Sequence, residues 1–224
     1  MFIKLSNDVE LFYKKIGAGD PLLLLHGNRD SHKGLETLGT SLAKDFTVYL
    51  IDSRGHGQSS NHNQYVSYDD FAADIDLFIK ELNLDNVNII GHSDGAIIAT
   101  LLSLEQKEYL NKVILLGLSL NFEQMKDVWK KWILVEYEKS NHHPLIELML
   151  KEPNIKLSDL NAIKNKTLVV AGSDDVLDTK LYTEIASAIP KGELEILDGE
   201  NHISYVINTD KFSKKALEFL KSDN

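Results

Sequence analysis

Val87-Asn88-Ile89-Ile90-Gly91-His92-Ser93-Asp94-Gly95, followed by the apolar run Ala96 to Leu104, decides the fold. Four residues of nearly continuous β-prone sequence stop at a glycine, and helical periodicity begins within a few positions. A G-x-S-x-G pattern by itself is common. Between a strand and a helix it means more, because a serine at so sharp a turn is forced into a strained backbone that lifts its hydroxyl above the sheet. Gly91 and Gly95 are the small neighbours that such a turn needs.

The same alternation extends in both directions from this turn. Leu22 to Leu25, Thr47 to Ile51, Val113 to Leu116, Leu168 to Ala171 and Leu194 to Leu197 are short apolar runs of the kind buried on both faces. Helical stripes separate them, through Leu35, Leu38 and Leu42 and through Phe71, Ile75, Phe78 and Leu82. Phe2 to Leu5 and Val9 to Lys15 flank Ser6-Asn7-Asp8 and predict an opening hairpin. The expected class is α/β, a mostly parallel sheet with helices on both faces, whose ligands sit at the carboxyl ends of the strands. Residues 121 to 165 break the pattern with two or three helical stretches and no convincing strand. They are expected to form a small helical cap inserted into a core made of residues 1–120 and 166–224. Met125, Trp129, Trp132 and Ile133 form a stripe there, read first as packing on the core and second as a substrate wall.

Composition narrows the function. Twenty-four Lys plus Arg against 34 Asp plus Glu give the 224 residues a net charge of −10, which would repel nucleic acid and anionic lipid. The chain has no Cys, which excludes disulfides, thiolate nucleophiles and Cys-ligated metals. Asp8 and Glu10 interrupt what would be a signal peptide's apolar core, and no apolar run approaches the ~18 residues of a membrane span. A cytoplasmic protein acting on a small molecule is expected.

A serine hydroxyl needs a base to take its proton, and the base needs a third group to hold its tautomer. Two later strand ends offer candidates. Gly172-Ser173-Asp174-Asp175 supplies an acid and Asp198-Gly199-Glu200-Asn201-His202 a histidine, so the order along the chain is serine, acid, histidine. Together with Leu25-His26-Gly27-Asn28 and Asp52-Ser53-Arg54-Gly55-His56-Gly57-Gln58-Ser59, these motifs make the chain resemble the α/β-hydrolase superfamily from Leu22 to Phe219. The resemblance implies Ser93 as nucleophile, His202 as general base and Asp175 as the acid, with the backbone N–H groups of Asn28 and Asp94 as an oxyanion hole. Asp174, one position earlier, is the competing carboxylate. The implied activity is hydrolysis of a small carboxylic ester or related acyl compound. Carbon–carbon bond hydrolases, thioesterases, acyltransferases and cofactor-free peroxidases share such triads, and a receptor without turnover is the answer of a different class.

The remaining polar residues have plainer expectations. His26 and His56 sit beside glycines in tight loops and are expected to bond local backbone, while His32, His62, His142 and His143 are expected to face solvent. Arg54 is expected to tie loop carbonyls together. Gly55-x-Gly57-x-x-Ser60 is a poor dinucleotide fingerprint, since Asn61-His62-Asn63-Gln64 follows where a helix should open. No cofactor is expected, and no metal, there being no H-E-x-x-H or comparable spacing. Asp94 carries two readings: an acid favoured by the start of a helix, or a carboxylate in the pocket selecting amine-bearing acyl groups.

Overall fold

The computed structural model describes residues 1–60 and 66–223. The expected strands form as β1 (Phe2–Lys4), β2 (Glu10–Gly17), β3 (Asp20–Leu25), β4 (Phe46–Ile51), β5 (Val87–His92), β6 (Leu110–Leu116), β7 (Lys166–Asp174) and β8 (Gly192–Asn201). They make one sheet in the order β1-β2-β4-β3-β5-β6-β7-β8. The opening hairpin is antiparallel, β2 runs antiparallel to β4, and every other pairing is parallel. Strand β8 runs beyond the apolar Leu194 to Leu197, because a register shift opposite Gly172 and Asp174 lets Asp174 pair with Asn201. That irregularity carries the chain directly to His202.

The helices are α1 (Glu36–Leu42), α2 (Tyr68–Glu81), α3 (Asp94–Leu104), α4 (Asp127–Lys139), α5 (Pro144–Lys151), α6 (Thr179–Ala188) and α7 (Ser213–Lys221). Alternation along the strands splits the core into two layers. Leu23, Leu25, Ile89, Val113 and Val169 point to one face, where α2, α3 and α6 cover them with Phe71, Ile75, Ala96, Ile98 and Ile185. Leu22, Leu24, Ile90, Ile114 and Val170 point to the other, under Leu38 and Leu42 of α1 and Ala216 and Phe219 of α7. Between β6 and β7 lie α4, α5 and two short 3₁₀ turns, with no strand among the described residues. Of the stripe read in this region, Ile133 is buried and Met125 and Trp129 pack on the core, whereas Trp132 is 47% exposed. No helix among the described residues is long and apolar enough to cross a membrane.

Two polar expectations are corrected. His32 does not face solvent. It is buried, and its backbone N–H and ring Nδ1 both approach Asp52 Oδ1, at 2.6 and 2.8 Å, while Asp52 Oδ2 accepts the N–H of Gln58 at 2.9 Å. A fully buried carboxylate needs such donors, and the nearby imidazole supplies one. Nor does Arg54 tie carbonyls. Its Nε and one terminal nitrogen grip Asp74 of α2 at 2.7 and 2.6 Å, and Asp74 also accepts from Asn7 at 2.8 Å. A planar guanidinium matches a carboxylate better than scattered carbonyls. His142 is exposed as expected, stacked on Tyr137 at 4.5 Å. His143 is exposed too, and its Nδ1 accepts the Leu145 N–H at the start of α5. His62 and the stretch 61–64 lie outside the described residues.

Removing the carboxylate of Asp74 takes both short hydrogen bonds from an almost wholly buried guanidinium and leaves it only the half-exposed Asp70, 3.8 Å away. Asp74→Ala is expected to destabilise the protein by about 3–5 kcal/mol, read as a lower urea midpoint, with a much smaller loss for Asp76→Ala on the more exposed side of the same helix.

Candidate active site

Every candidate residue comes from a loop at the carboxyl edge of the parallel strands. The central one is Ser93, between β5 and α3, with φ 53° and ψ −114°. A non-glycine residue held there costs about 1–3 kcal/mol, so its surroundings must impose it. They do so by close packing: a Cβ on Gly91 would overlap the Gly95 carbonyl, and one on Gly95 would overlap the Leu25 carbonyl. Ser93 N–H donates to Leu116 O at 2.9 Å, fixing the turn to the next strand.

The structure brings Ser93, Asp175 and His202 together. Ser93 Oγ lies 3.1 Å from His202 Nε2, and His202 Nδ1 lies 2.6 Å from Asp175 Oδ1. Asp175 is fully buried, and it also accepts the N–H of Val176 on Oδ1 and, on Oδ2, the N–H of Gly172 and the Tyr205 hydroxyl. Burial alone would raise its pKa, but the hydrogen bond and charge of His202, with the two backbone N–H groups, outweigh burial and hold it at about 2. Asp174, the competing carboxylate, points into solvent with its side chain 87% exposed and Lys126 3.4 Å away.

Four residues frame His202, and of these the sequence singles out Trp129 alone, as part of the stripe at residues 125–133. Gly117, at φ 63° just beyond β6, leaves the space the imidazole fills; a Cβ there would lie 2.6 Å from its Cε1. His92 lies tilted against the same ring, with centroids 4.8 Å apart and planes at 38°, and donates from Nε2 to the His202 carbonyl at 2.9 Å. Trp129 of α4 meets the ring edge-on at 5.6 Å. Tyr205, three residues on, reaches back to Asp175. A glycine immediately after a buried strand, facing two others that end in candidate residues, is the one signal that could have flagged Gly117.

The loops that carry the proposed oxyanion donors also meet here. Among the described residues, neither the Asn28 nor the Asp94 backbone N–H is spent on another protein group. Asp94 makes no side-chain cap. Its carboxylate is buried, with Oδ1 accepting from the Tyr68 hydroxyl at 2.8 Å and Oδ2 from Asn28 Nδ2 at 2.9 Å. Burial raises its pKa, and those two hydrogen bonds only partly offset it. His26 donates from Nδ1 to Gly27 O and accepts the Ser53 N–H, and His56 Nδ1 lies 3.1 Å from Arg54 O, so both bond local backbone as expected. No group of His, Asp and Glu among the described residues is arranged to hold a metal ion.

Sheet order, strained serine and convergent loops agree with the family comparison. Residues 20–138 match the family model for the alpha/beta hydrolase fold, and the chain belongs to that family. It is similar to human serine hydrolase BPHL, 26% identical over a 255-residue alignment that covers 96% of this chain and 84% of that protein. Among solved structures, an esterase from Exiguobacterium antarcticum superposes with a TM-score of 0.85 at 21% identity, covering 99% of both chains. The meta-cleavage product hydrolase CumD from Pseudomonas fluorescens IP01 superposes with a TM-score of 0.79 at 19% identity, covering 100% of this chain and 98% of that one.

The buried histidines give a pH signature. Burial first, and then the charge of His202, push His92 down from 6.5 to about 3, and burial lowers His26 and His56 as well. The unfolded chain therefore takes up these protons before the folded one. Their contribution to stability is complete above 6.5 and is lost as pH falls towards about 3. Urea midpoints should drop across that interval, and His92→Gln should flatten the slope. An unchanged slope would place the neutral imidazole elsewhere.

Proposed function

We propose that this chain is a serine hydrolase that cleaves small carboxylic esters through an acyl-enzyme. The observation that carries the reading is the unbroken chain from Ser93 Oγ to His202 to the buried Asp175, beside two unspent backbone N–H groups. Because Asp175 accepts from Nδ1–H, the lone pair of His202 is on Nε2 and faces the serine. Ser93 Oγ attacks the ester carbonyl as its proton passes to Nε2. The carbonyl oxygen becomes an oxyanion, which the N–H groups of Asn28 and Asp94 hold, and Asp175 stabilises the imidazolium without taking its proton. Collapse breaks the bond to the leaving oxygen, which leaves as the alcohol with the proton from Nε2. Water then attacks the acyl-serine by the same route, releasing the acid and restoring the serine.

Residues 121–165 serve in this reading as a cap. Helix α4 sets Trp129 against the general base, and the N–H of Lys126, just before α4, donates to Val176 O beside the acid at 2.9 Å. Ester cleavage is the first reading because two of the solved neighbours are described as esterases, and CumD, described as a meta-cleavage product hydrolase, makes carbon–carbon cleavage the second.

Ser93→Ala removes one hydroxyl and leaves the turn glycines, so it should fold with wild-type melting behaviour and lose on the order of 10⁴-fold or more in kcat on p-nitrophenyl esters. Full activity in that variant would end the assignment. Asp175→Asn should lose about 10⁴-fold by presenting the wrong tautomer. With Asp175 held at about 2, its ionisation should not shape the acid limb of wild-type kcat/KM above about pH 4. A wild type inactive on every ester of a graded acyl series would transfer the reading to carbon–carbon cleavage or to a receptor.

A further inference from the structure

We propose that Asp94 is a positioning residue that sets the spacing of the two oxyanion donors by holding the Asn28 side chain. The inference rests on the reading of Ser93, Asn28 and Asp94 given above. It begins from an expensive arrangement: a carboxylate 4% exposed, immediately after the nucleophile, with no ion pair among the described residues. Neutral donors alone hold it, the Tyr68 hydroxyl on one oxygen and Asn28 Nδ2 on the other.

Asn28 explains what such a group is for. Its Nδ2 donates to Asp94 Oδ2 at 2.9 Å and to Leu145 O, in the first turn of α5, at 2.8 Å. Both donors of the amide are thereby used, which fixes which end is nitrogen and which way the side chain turns. The Asn28 backbone N–H belongs to the loop after β3, and the Asp94 N–H opens α3 after β5. The pairing of β3 with β5 ends at Leu25 opposite Gly91. Beyond it Gly95 packs against the Leu25 carbonyl and Gly27 against Ser93, which brings the two loops close, but neither contact grips the two residues that carry these N–H groups. The Asp94 side chain does, because the residue whose N–H is one donor grips the residue whose N–H is the other. Tyr68, at the start of α2, clamps the far side of the carboxylate, and its own N–H donates to Glu152 Oε2 at 3.0 Å. Leu145 and Glu152 lie at the two ends of α5, so the same network joins the oxyanion loop to the helix above it.

Selection of an amine-bearing substrate by Asp94 makes a different demand. It needs a carboxylate open to the pocket, whereas this one is 4% exposed and is braced by an internal donor on each oxygen.

The two uses separate by experiment. Asp94→Leu removes the acceptor, and on simple acyl esters kcat should fall on the order of 10- to 100-fold with KM little changed, because donors are misplaced only where the oxyanion develops. Asp94→Asn retains an acceptor for Asn28 and should lose several-fold less. Asn28→Ala keeps the backbone N–H and should lose as much as Asp94→Leu, and the double variant should lose no more than either alone. Melting temperatures accompany each measurement, and if Asp94→Leu does not fold, Asn28→Ala carries the test. A kcat for either variant within about twofold of wild type on simple esters would overturn the inference, as would additive losses in the double variant or a loss confined to aminoacyl esters. Labelling of wild-type Ser93 by a fluorophosphonate tests the underlying reading separately. An unlabelled wild type removes that reading; a labelled one with unaffected variants removes only the role of Asp94.

Discussion

The hydrogen bond between Asp175 and His202 is the contact on which the site depends. At 2.6 Å it selects the tautomer of the imidazole, and that choice alone turns a lone pair towards Ser93. The bond is only as firm as its acceptor, and Asp175 is secured by donors from Gly172, Val176 and Tyr205 before His202 is counted. Its direction is set from the other side as well. Gly117 opens the space for the ring, and His92 grips the carbonyl of the same residue. A histidine in a long loop has thus lost most of its rotamer freedom without any contact to a substrate.

The rigidity needed for this comes from the sheet. Strands β3, β5, β6, β7 and β8 are neighbours and parallel, so their carboxyl ends lie in one row and deliver Asn28, Ser93, Gly117, Asp175 and His202 to one edge. Both faces of those strands are packed, which leaves little freedom for any one of them to slide. Ser93 can be held at φ 53° because its turn is pinned between Gly91, Gly95 and the backbone of β3 and β6. Helix α4 contrasts with this. Only Ile133 of its residues is buried, while Val128, Trp132, Leu134 and Val135 are exposed.

Features controlled by local periodicity were readable from the sequence. The parallel strands are apolar runs with turn residues at their ends, and the helices between them carry stripes at the right spacing, so sheet, order and carboxyl-edge loops followed. The serine and histidine were readable because each stands at a fixed distance from a strand end. Failures occurred where a side chain's partner is remote along the chain. His32 looked like a surface residue in a polar loop, yet Asp52, twenty positions on, draws it inside. Arg54 looked like a backbone clamp until Asp74 came round on α2. The resemblance prefers Asp175 to Asp174, and past the register shift at the end of β7 it is Asp175 that meets His202, with Asp174 in solvent.

Asp94 and Asp175 show why residue type underdetermines role. Both are buried carboxylates within one residue of a strand end or helix start, and burial pushes both upward. Asp175 faces four donors, one of them a ring that can carry a positive charge, and is held at about 2. Asp94 faces two neutral donors, which do not compensate for burial, and its pKa is raised. Opposite outcomes follow from what surrounds the same functional group. A carboxylate braced by an imidazole can stabilise a charge that appears during turnover. One braced by an amide and a phenol ties those two groups together, and the amide belongs to the loop whose N–H is the proposed oxyanion donor.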